Sequence, residues 1–438
     1  MSRLKKLLPQ QLINNLHYIE ALTASFAYRM PSRSMITIGI VGSKGKTTLA
    51  NLLWAALSGD GSKVGLIGTA NIRIGQHESL NPYHMTMPGR HHLQKVLADM
   101  RQAGCQYAIM EVPSEGQAQW RHIGVHFDTL IFTNVTREIM ASHNYSLELL
   151  HTHNQRVFRS FAKNNPKKLN GRLQPKILIA NADAEHFAHY FAHIADIKRS
   201  YSVKTKSDYQ ATRIQADSDG ATFQIHKHTY QIHLPGIVNV SNATGAIAAA
   251  LELGKAPEAV AQGIAQLQTI PGRMERITEG QPFDIIVDYA HEETGMQALM
   301  DGAKLMRKKT GKIITLLGAE GGGRDKIKRP IMGEIAMRGS DYVIISNVDP
   351  YSDDPMEIIH DIAKGAEKVG GKKDESYYTI ADRRSGIRHA LTIARPGDLV
   401  LITGKGSEQS IIINGKKSDW DDRAVVREEL KKLTTKPS

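Results

Sequence analysis

Apolar and polar positions along this chain fall into blocks that predict strands and helices in turn. Residues 1–34 read as a polar helical lead, after which Met35-Ile-Thr-Ile-Gly-Ile-Val41 is a nearly continuous apolar run of strand character. A strand without alternation is one buried on both faces, as in a parallel sheet. A glycine-rich turn, Gly42-Ser-Lys-Gly-Lys-Thr-Thr48, follows it, and Leu49 to Leu57 then carries apolar residues at helical spacing. Further strand-like runs at 107–110, 129–132 and 176–180 alternate with helical stretches, the pattern of a doubly wound sheet. The segments 221–226 and 230–234 alternate as antiparallel strands decorating the same domain, and 242–253 returns to a helix of small residues. Pro271-Gly272 marks a break. Beyond it a second alternation begins, with strands at 283–287, 313–317, 342–345 and 399–402, each followed by a polar or glycine-rich loop. The expected fold class is α/β throughout: a short helical lead (1–35), a central domain on a parallel sheet (36–272) and a Rossmann-like C-terminal domain (273–438).

Composition narrows the class. At 438 residues the chain holds roughly two to four domains. With 41% hydrophobic and 23% charged residues it is neither a disordered chain nor a membrane bundle. No window reaches the roughly 18 apolar residues of a membrane span. Only Leu7-Leu8 stands between the basic start and Pro9, too little for a signal peptide. The single cysteine, Cys105, forms no internal disulfide, and no Cys/His cluster has zinc spacing, so a cytoplasmic protein is expected. The net charge of +12 suits anionic partners without choosing among them.

The turn at 42–48 carries chemistry. Gly42, Ser43, Lys44, Gly45, Lys46, Thr47 and Thr48 form a shortened phosphate loop, a P-loop in which glycines let backbone N–H groups approach phosphates and the next helix presents its positive end. Lys46 is placed to neutralise the β- and γ-phosphates of ATP, and Thr47 offers a hydroxyl to Mg²⁺. Glu111 closes the strand at 107–110, where an open α/β sheet presents ligands to its crevice, so a carboxylate there can hold the nucleotide's metal.

The phosphate loop, Met85-Thr-Met-Pro88, Glu111-Val-Pro-Ser114, Thr133-Asn-Val-Thr-Arg137, the stretch from Leu234 to Asn242, Pro271-Gly-Arg-Met-Glu-Arg276 and Asp288-Tyr-Ala-His291 together resemble the ATP-dependent Mur ligases. Gly321-Gly-Gly-Arg-Asp-Lys326, Lys328-Arg-Pro330, Asp349-Pro350, Asp382-Arg-Arg384, Gly404-Lys-Gly406 with Glu408, and Asp421-Asp-Arg423 extend the resemblance, most of all to the branch that makes UDP-N-acetylmuramoyl-tripeptides. It implies an ATP-dependent acid–amino-acid ligase of peptidoglycan precursor synthesis. Such an enzyme makes an acyl phosphate on a UDP-N-acetylmuramoyl-peptide-like carboxylate, which an amine attacks. It further implies ATP and Mg²⁺ as cofactors, Lys46 and Glu111 as catalytic residues, Asn242 against adenine, Arg273 on the nucleotide, Asp288 at the ribose, and Thr86, Pro88, Asp349, Tyr351, Gly404 and Glu408 lining the substrate sites.

The sequence also departs from the pattern. About 35 residues precede the phosphate-loop strand where relatives carry a domain gripping UDP, so that recognition is expected to be absent or reduced. The family's second-metal histidine and carbamylated lysine align with Ile139 and Asn154; His143, His151 and His153 lie nearby, and His143 is the candidate substitute. The arginine that selects diaminopimelate aligns with Tyr351, and Ser407 replaces a histidine before Glu408. These departures leave two alternatives, a folate- or poly-γ-glutamate-type ligase and an ATP-binding regulator with weakened catalysis. The expected partners are small molecules, a nucleotide-linked peptide and an amino acid, with no nucleic acid and no membrane span, acting on a monomer.

Overall fold

The computed structural model describes residues 10–83, 85–136, 143 and 146–434. They form two units. The first runs to Ile214 and adds Thr222–Ile232 and Ile237–Leu267; the second holds Gln215–Ala221, His233–Gly236 and the chain from Gln268 onward.

The first unit is built on an eleven-stranded sheet, in the order His228–Ile232, Ala221–Ile225, Tyr209–Ala216, Ile197–Ser202, Ile177–Asn181, Thr129–Phe132, Ile36–Val41, Tyr107–Val112, Val64–Ile67, Asn71–Ile74 and His77–Leu80. The pairs from Tyr209–Ala216 across to Val64–Ile67 are parallel. The last three strands form an antiparallel meander. Ile36–Val41 takes Tyr107–Val112 on one side and Thr129–Phe132 on the other, so the chain leaves it in both directions and opens a crevice at its carboxyl end. Ile38, Ile40, Val41, Leu130 and Ile131 are fully buried, which explains why this strand reads as an unbroken apolar run. Gly39 interrupts it for a packing reason: a Cβ there would stand 2.8 Å from Leu130 Cδ2 and 2.9 Å from Phe127 Cε1.

The expected strands are present within a residue or two of their boundaries. The helix after the phosphate loop starts at Lys46, and the small-residue helix spans Ile237–Glu252. The helical lead is the helix Gln10–Ala27 followed by a 3₁₀ turn, Pro31–Ser34. The three strands between Val64 and Leu80 have no counterpart in the sequence reading. They are four residues each: Val64–Ile67 is a buried apolar run too short to stand out, Asn71–Ile74 mixes polar with apolar residues, and His77–Leu80 is mostly exposed.

The second unit carries a six-stranded sheet, ordered Glu275–Arg276, Asp284–Asp288, Leu399–Thr403, Ile313–Leu317, Tyr342–Ile345 and Tyr377–Thr379. Only the first pair is antiparallel. Apolar clusters cover both faces, one around Met296, Leu299, Met332 and Ile359, the other around Ile387, Leu391, Val426 and Leu430. Among the described residues no helix is long and apolar enough to cross a membrane.

Candidate functional site

In the first unit the phosphate loop leaves Val41 at the crevice end of the central strand. Gly42 and Gly45 have φ of 144° and 81°. A Cβ on Gly42 would stand 2.1 Å from Thr133 Oγ1, and one on Gly45 2.3 Å from Asn242 Oδ1, so both positions require glycine for space as well as for backbone conformation. The loop is clamped by the end of the next strand: the Ser43 N–H donates to the Asn134 carbonyl at 2.8 Å, the Lys44 N–H to Asn134 Oδ1 at 3.0 Å, and Thr133 Oγ1 to the Lys44 carbonyl at 2.7 Å. The helix Lys46–Ser58 begins without a side-chain cap on Gly45, and the positive end of its dipole lies at the loop. Lys46 Nζ donates to the Gly42 and Ser43 carbonyls at 2.6 and 2.9 Å, which draws its ammonium over the loop. Thr48 is buried in the first turn.

Glu111 is the penultimate residue of the neighbouring strand, Tyr107–Val112, and is 1% exposed. Its Oε2 accepts from Thr47 Oγ1 at 3.1 Å and from Thr69 Oγ1 at 3.0 Å, while Oε1 accepts from the Thr69 N–H at 2.6 Å. Thr69 Oγ1 also reaches Thr86 Oγ1 at 3.0 Å, which joins the expected substrate loop to the carboxylate. Pro88 follows Met87, whose carbonyl accepts from Arg121 at 2.7 Å. Thr47 and Glu111 together present a hydroxyl and a carboxylate, hard oxygen donors side by side next to the loop, and that donor set fits Mg²⁺. Thr69 was missed in the sequence; it lies past a short strand that carries no motif, and only strand pairing brings it to Glu111.

The histidines are placed differently. His143 is buried; its Nδ1 shares a hydrogen bond with His153 Nδ1 at 2.8 Å, and its Nε2 one with Ser114 Oγ at 2.9 Å. Burial, reinforced by Arg156, pushes His153 down to about 4 and keeps that ring neutral. His151 meets the Tyr190 hydroxyl at 3.0 Å. Asn154 is buried and accepts from Gln117 Nε2 at 3.2 Å, while Ile139 lies outside the described residues.

The remaining expected residues belong to the second unit. Asp288 closes a strand and accepts from the Met274 and Ala290 N–H groups, both at 2.8 Å. Burial raises its pKa against the pull of Arg273, whose guanidinium lies over the Tyr289 ring at 4.3 Å. Lys405, fully buried, donates to Asp349 Oδ2 at 2.7 Å and Glu408 Oε2 at 2.8 Å. The Tyr289 hydroxyl donates to Glu408 Oε1 at 3.3 Å, and the Ile412 N–H to Asp349 Oδ1 at 2.8 Å. Burial pushes the Glu408 carboxyl up, against Lys405. Tyr351 sits at φ 55° in a bridge with Ile413, and its hydroxyl bonds Arg324. Gly404, at φ 107°, packs where a Cβ would stand 2.9 Å from Val348 Cγ2. Asp349, Tyr351, Gly404 and Glu408 are thus gathered by the strand ends and joined by Lys405 and Arg324, two cations given no role in the sequence reading.

Comparison with known proteins gives the same direction. The chain matches the Mur ligase middle domain over residues 40–250 and the Mur ligase, glutamate ligase domain, over residues 272–406. It is 36% identical over 421 residues to a UDP-N-acetylmuramyl-tripeptide synthetase of Roseiflexus sp. (strain RS-1), covering 94% of this chain and 81% of that protein. A UDP-N-acetylmuramoyl-L-alanyl-D-glutamate–2,6-diaminopimelate ligase of Syntrophomonas wolfei is 33% identical over 415 residues, with the same coverage of 94% and 81%. Among solved structures, one of a UDP-N-acetylmuramoyl-L-alanyl-D-glutamate–2,6-diaminopimelate ligase aligns with a TM-score of 0.60 at 26% identity, covering 92% of this chain and 80% of that one.

Proposed function

We propose that this chain, which belongs to the Mur ligase family, is an ATP-dependent ligase that joins an amino acid to the carboxylate of a UDP-N-acetylmuramoyl-peptide, in the cytoplasm and in peptidoglycan precursor synthesis. The observation that carries the reading is the contact of Thr47 Oγ1 with Glu111 Oε2 at 3.1 Å beside the phosphate loop.

The reaction needs an acceptor carboxylate oxygen to attack the γ-phosphorus of ATP, with ADP leaving, and then an amine to attack the resulting acyl phosphate, with phosphate leaving. Charge grows on phosphoryl oxygens, so the protein's task is positioning and electrostatics. In this reading the Ser43 and Lys44 N–H groups hold the loop on Asn134, those at the helix start from Gly45 to Thr48 face the phosphates, and Lys46 turns from the Gly42 and Ser43 carbonyls to the phosphoryl oxygens. Thr47 and Glu111 would hold Mg²⁺, which when bound neutralises charge on the transferring group. Thr69 orients Glu111 through two hydrogen bonds and ties it to Thr86 on the acceptor loop. Asn242 borders the loop for the adenosine; in the second unit, Arg273 and Asp288 carry the nucleotide roles that the family resemblance implies. Glu408 and Asp349 offer carboxylates to the ammonium of the incoming amino acid, and Lys405 sets how much negative charge they present.

The test is phosphate release from ATP with UDP-N-acetylmuramoyl-L-alanyl-D-glutamate and a panel of amino acids. Release that requires both acceptor and amine, and that collapses in Glu111→Gln, supports the reading; release independent of either substrate overturns it.

A further inference from the structure

The helix Gln10–Ala27 has two faces with apolar content, and the first unit covers one. Towards the unit it turns Ala21 and Ala24, 1% and 0% exposed. Ser25 Oγ donates to the Gly124 carbonyl at 2.8 Å, Tyr18 stands edge-on to Trp120, and Glu20 pairs with Arg90 at 3.3 Å. On the outer side stand Leu12, Leu16, Ile19 and Phe26, 45%, 44%, 56% and 64% exposed. With the exposed Thr23 they occupy positions 12, 16, 19, 23 and 26, steps of four, three, four and three. That is the a/d spacing of a coiled-coil seam, and the residues packed on the protein fall at b, c and f positions, with Glu20 at the flanking e position. A helix that serves only its own domain has the opposite layout, with its apolar stripe inward.

We propose that this stripe is the docking seam for a second copy of this chain, two Gln10–Ala27 helices packing against each other about a twofold axis. The spacing itself points to that occupant. Knobs at a and d fit holes made by the same positions of a like helix, so one stripe serves both copies. Charge points the same way. Glu20 is the only charged residue in Gln10–Ala27 and already faces Arg90, so copies of a chain carrying +12 meet across a seam that opposes no like charges. A membrane surface is the poorer fit, because an interfacial helix carries lysines and arginines on its polar face. This helix has none anywhere along Gln10–Ala27. The seam is two heptads long, which puts the interface at the small end of specific contacts and makes the association dependent on concentration. Such a dimer would differ from the monomer expected from the sequence.

Sedimentation velocity of the full chain from about 1 to 100 μM tests it. The mass should rise from one copy towards two across that range. Leu16→Glu combined with Ile19→Glu should hold it at one copy throughout, because both side chains are exposed and the charges would be buried unpaired in the seam. Leu173→Glu removes an apolar side chain of 69% exposure elsewhere on the unit and should leave the dimer intact. Circular dichroism and the melting midpoint establish that the double variant is folded; should it not be, Phe26→Ser provides the milder break. A single-copy mass at every concentration overturns the proposal, as does a dimer that survives the seam substitutions. Flotation of the unsubstituted chain with anionic phospholipid vesicles, lost in the seam variant, would assign the stripe to lipid and overturn it as well.

Discussion

The phosphate loop of the first unit and the Lys405 cluster of the second are built by opposite means. The loop holds its shape with backbone and small polar groups: two glycines, the Asn134 clamp and an uncapped helix start, with one cation and one carboxylate added. The cluster is charge packed on charge. Lys405 lies between Asp349 and Glu408, Lys328 meets Glu320 at 2.7 Å, and Arg383 meets Asp422 at 2.6 Å with both side chains at 1% exposure or less. In Glu320 burial pushes the carboxyl up, yet Lys328 and His291 outweigh it and hold it well below the usual range. The difference separates chemistry from stability. A side chain of the loop can be removed without exposing an uncompensated charge, whereas each member of the cluster is held by a partner that would be stranded without it.

Lys46→Ala should sharpen the contrast most. Phosphate release is expected to fall by roughly 100- to 1,000-fold or more, as for loss of a transition-state charge contact, while the melting midpoint stays where it is. A parallel loss of stability would show that the lysine braces the fold. Lys405→Met should do the reverse, lowering unfolding free energy by about 3 to 5 kcal/mol because Asp349 and Glu408 are left facing each other without a cation. Urea unfolding followed through Trp420 reads this. Adding Asp349→Asn and Glu408→Gln to the same variant should restore much of the stability, and failure to do so would mean that the network is not what holds the region.

A smaller effect concerns selectivity. Tyr351 stands where diaminopimelate-adding relatives are expected to have an arginine, and a bidentate guanidinium–carboxylate pair contributes about 1.5 to 3 kcal/mol. Lysine or a smaller amino acid should therefore outcompete diaminopimelate by roughly 10- to 100-fold in kcat/KM, measured in a mixed-substrate assay. Preference for diaminopimelate would mean that Arg324, bonded to the Tyr351 hydroxyl, supplies the missing cation. The smallest effect is on pH. His122 is fully buried, and desolvation, then Arg156, push it down to about 3. The unfolded chain takes up that proton near pH 6.5 and the folded chain does not. Stability is thus unaffected by this group above pH 6.5 and declines as pH falls from 6.5 towards 3, by at most about 1.4 kcal/mol per unit. His122→Phe should flatten that decline in thermal melts; an unchanged slope would assign the acid sensitivity to other groups.

The same contrast explains what the sequence made legible. The strand at Ile36–Val41 and the loop after it are local, so a run of apolar residues and a spacing of glycines were enough to find them. Lys405 sits inside a motif that the sequence displays, but its partner Asp349 is 56 positions away, and only the adjacency of the strand ends joins them. Thr69 had no signal at all, because the strands on either side of it are short and mix glycine, asparagine and arginine with their apolar residues. Asn154 illustrates a residue whose identity was readable and whose setting was not. Its amide is bonded to Gln117 inside a buried helix face, and it has no amine on which a carbamate could form.

The central claim, that an acceptor carboxylate is activated as an acyl phosphate at the Lys46–Glu111 site, is tested most directly by isotope transfer. UDP-N-acetylmuramoyl-L-alanyl-D-glutamate labelled with ¹⁸O in its reacting carboxylate is incubated with ATP, Mg²⁺ and lysine, and the inorganic phosphate is analysed by mass spectrometry. The account predicts one ¹⁸O in each phosphate released, formed in step with the amide and absent with Lys46→Ala; amide formed while the phosphate carries no label would contradict it.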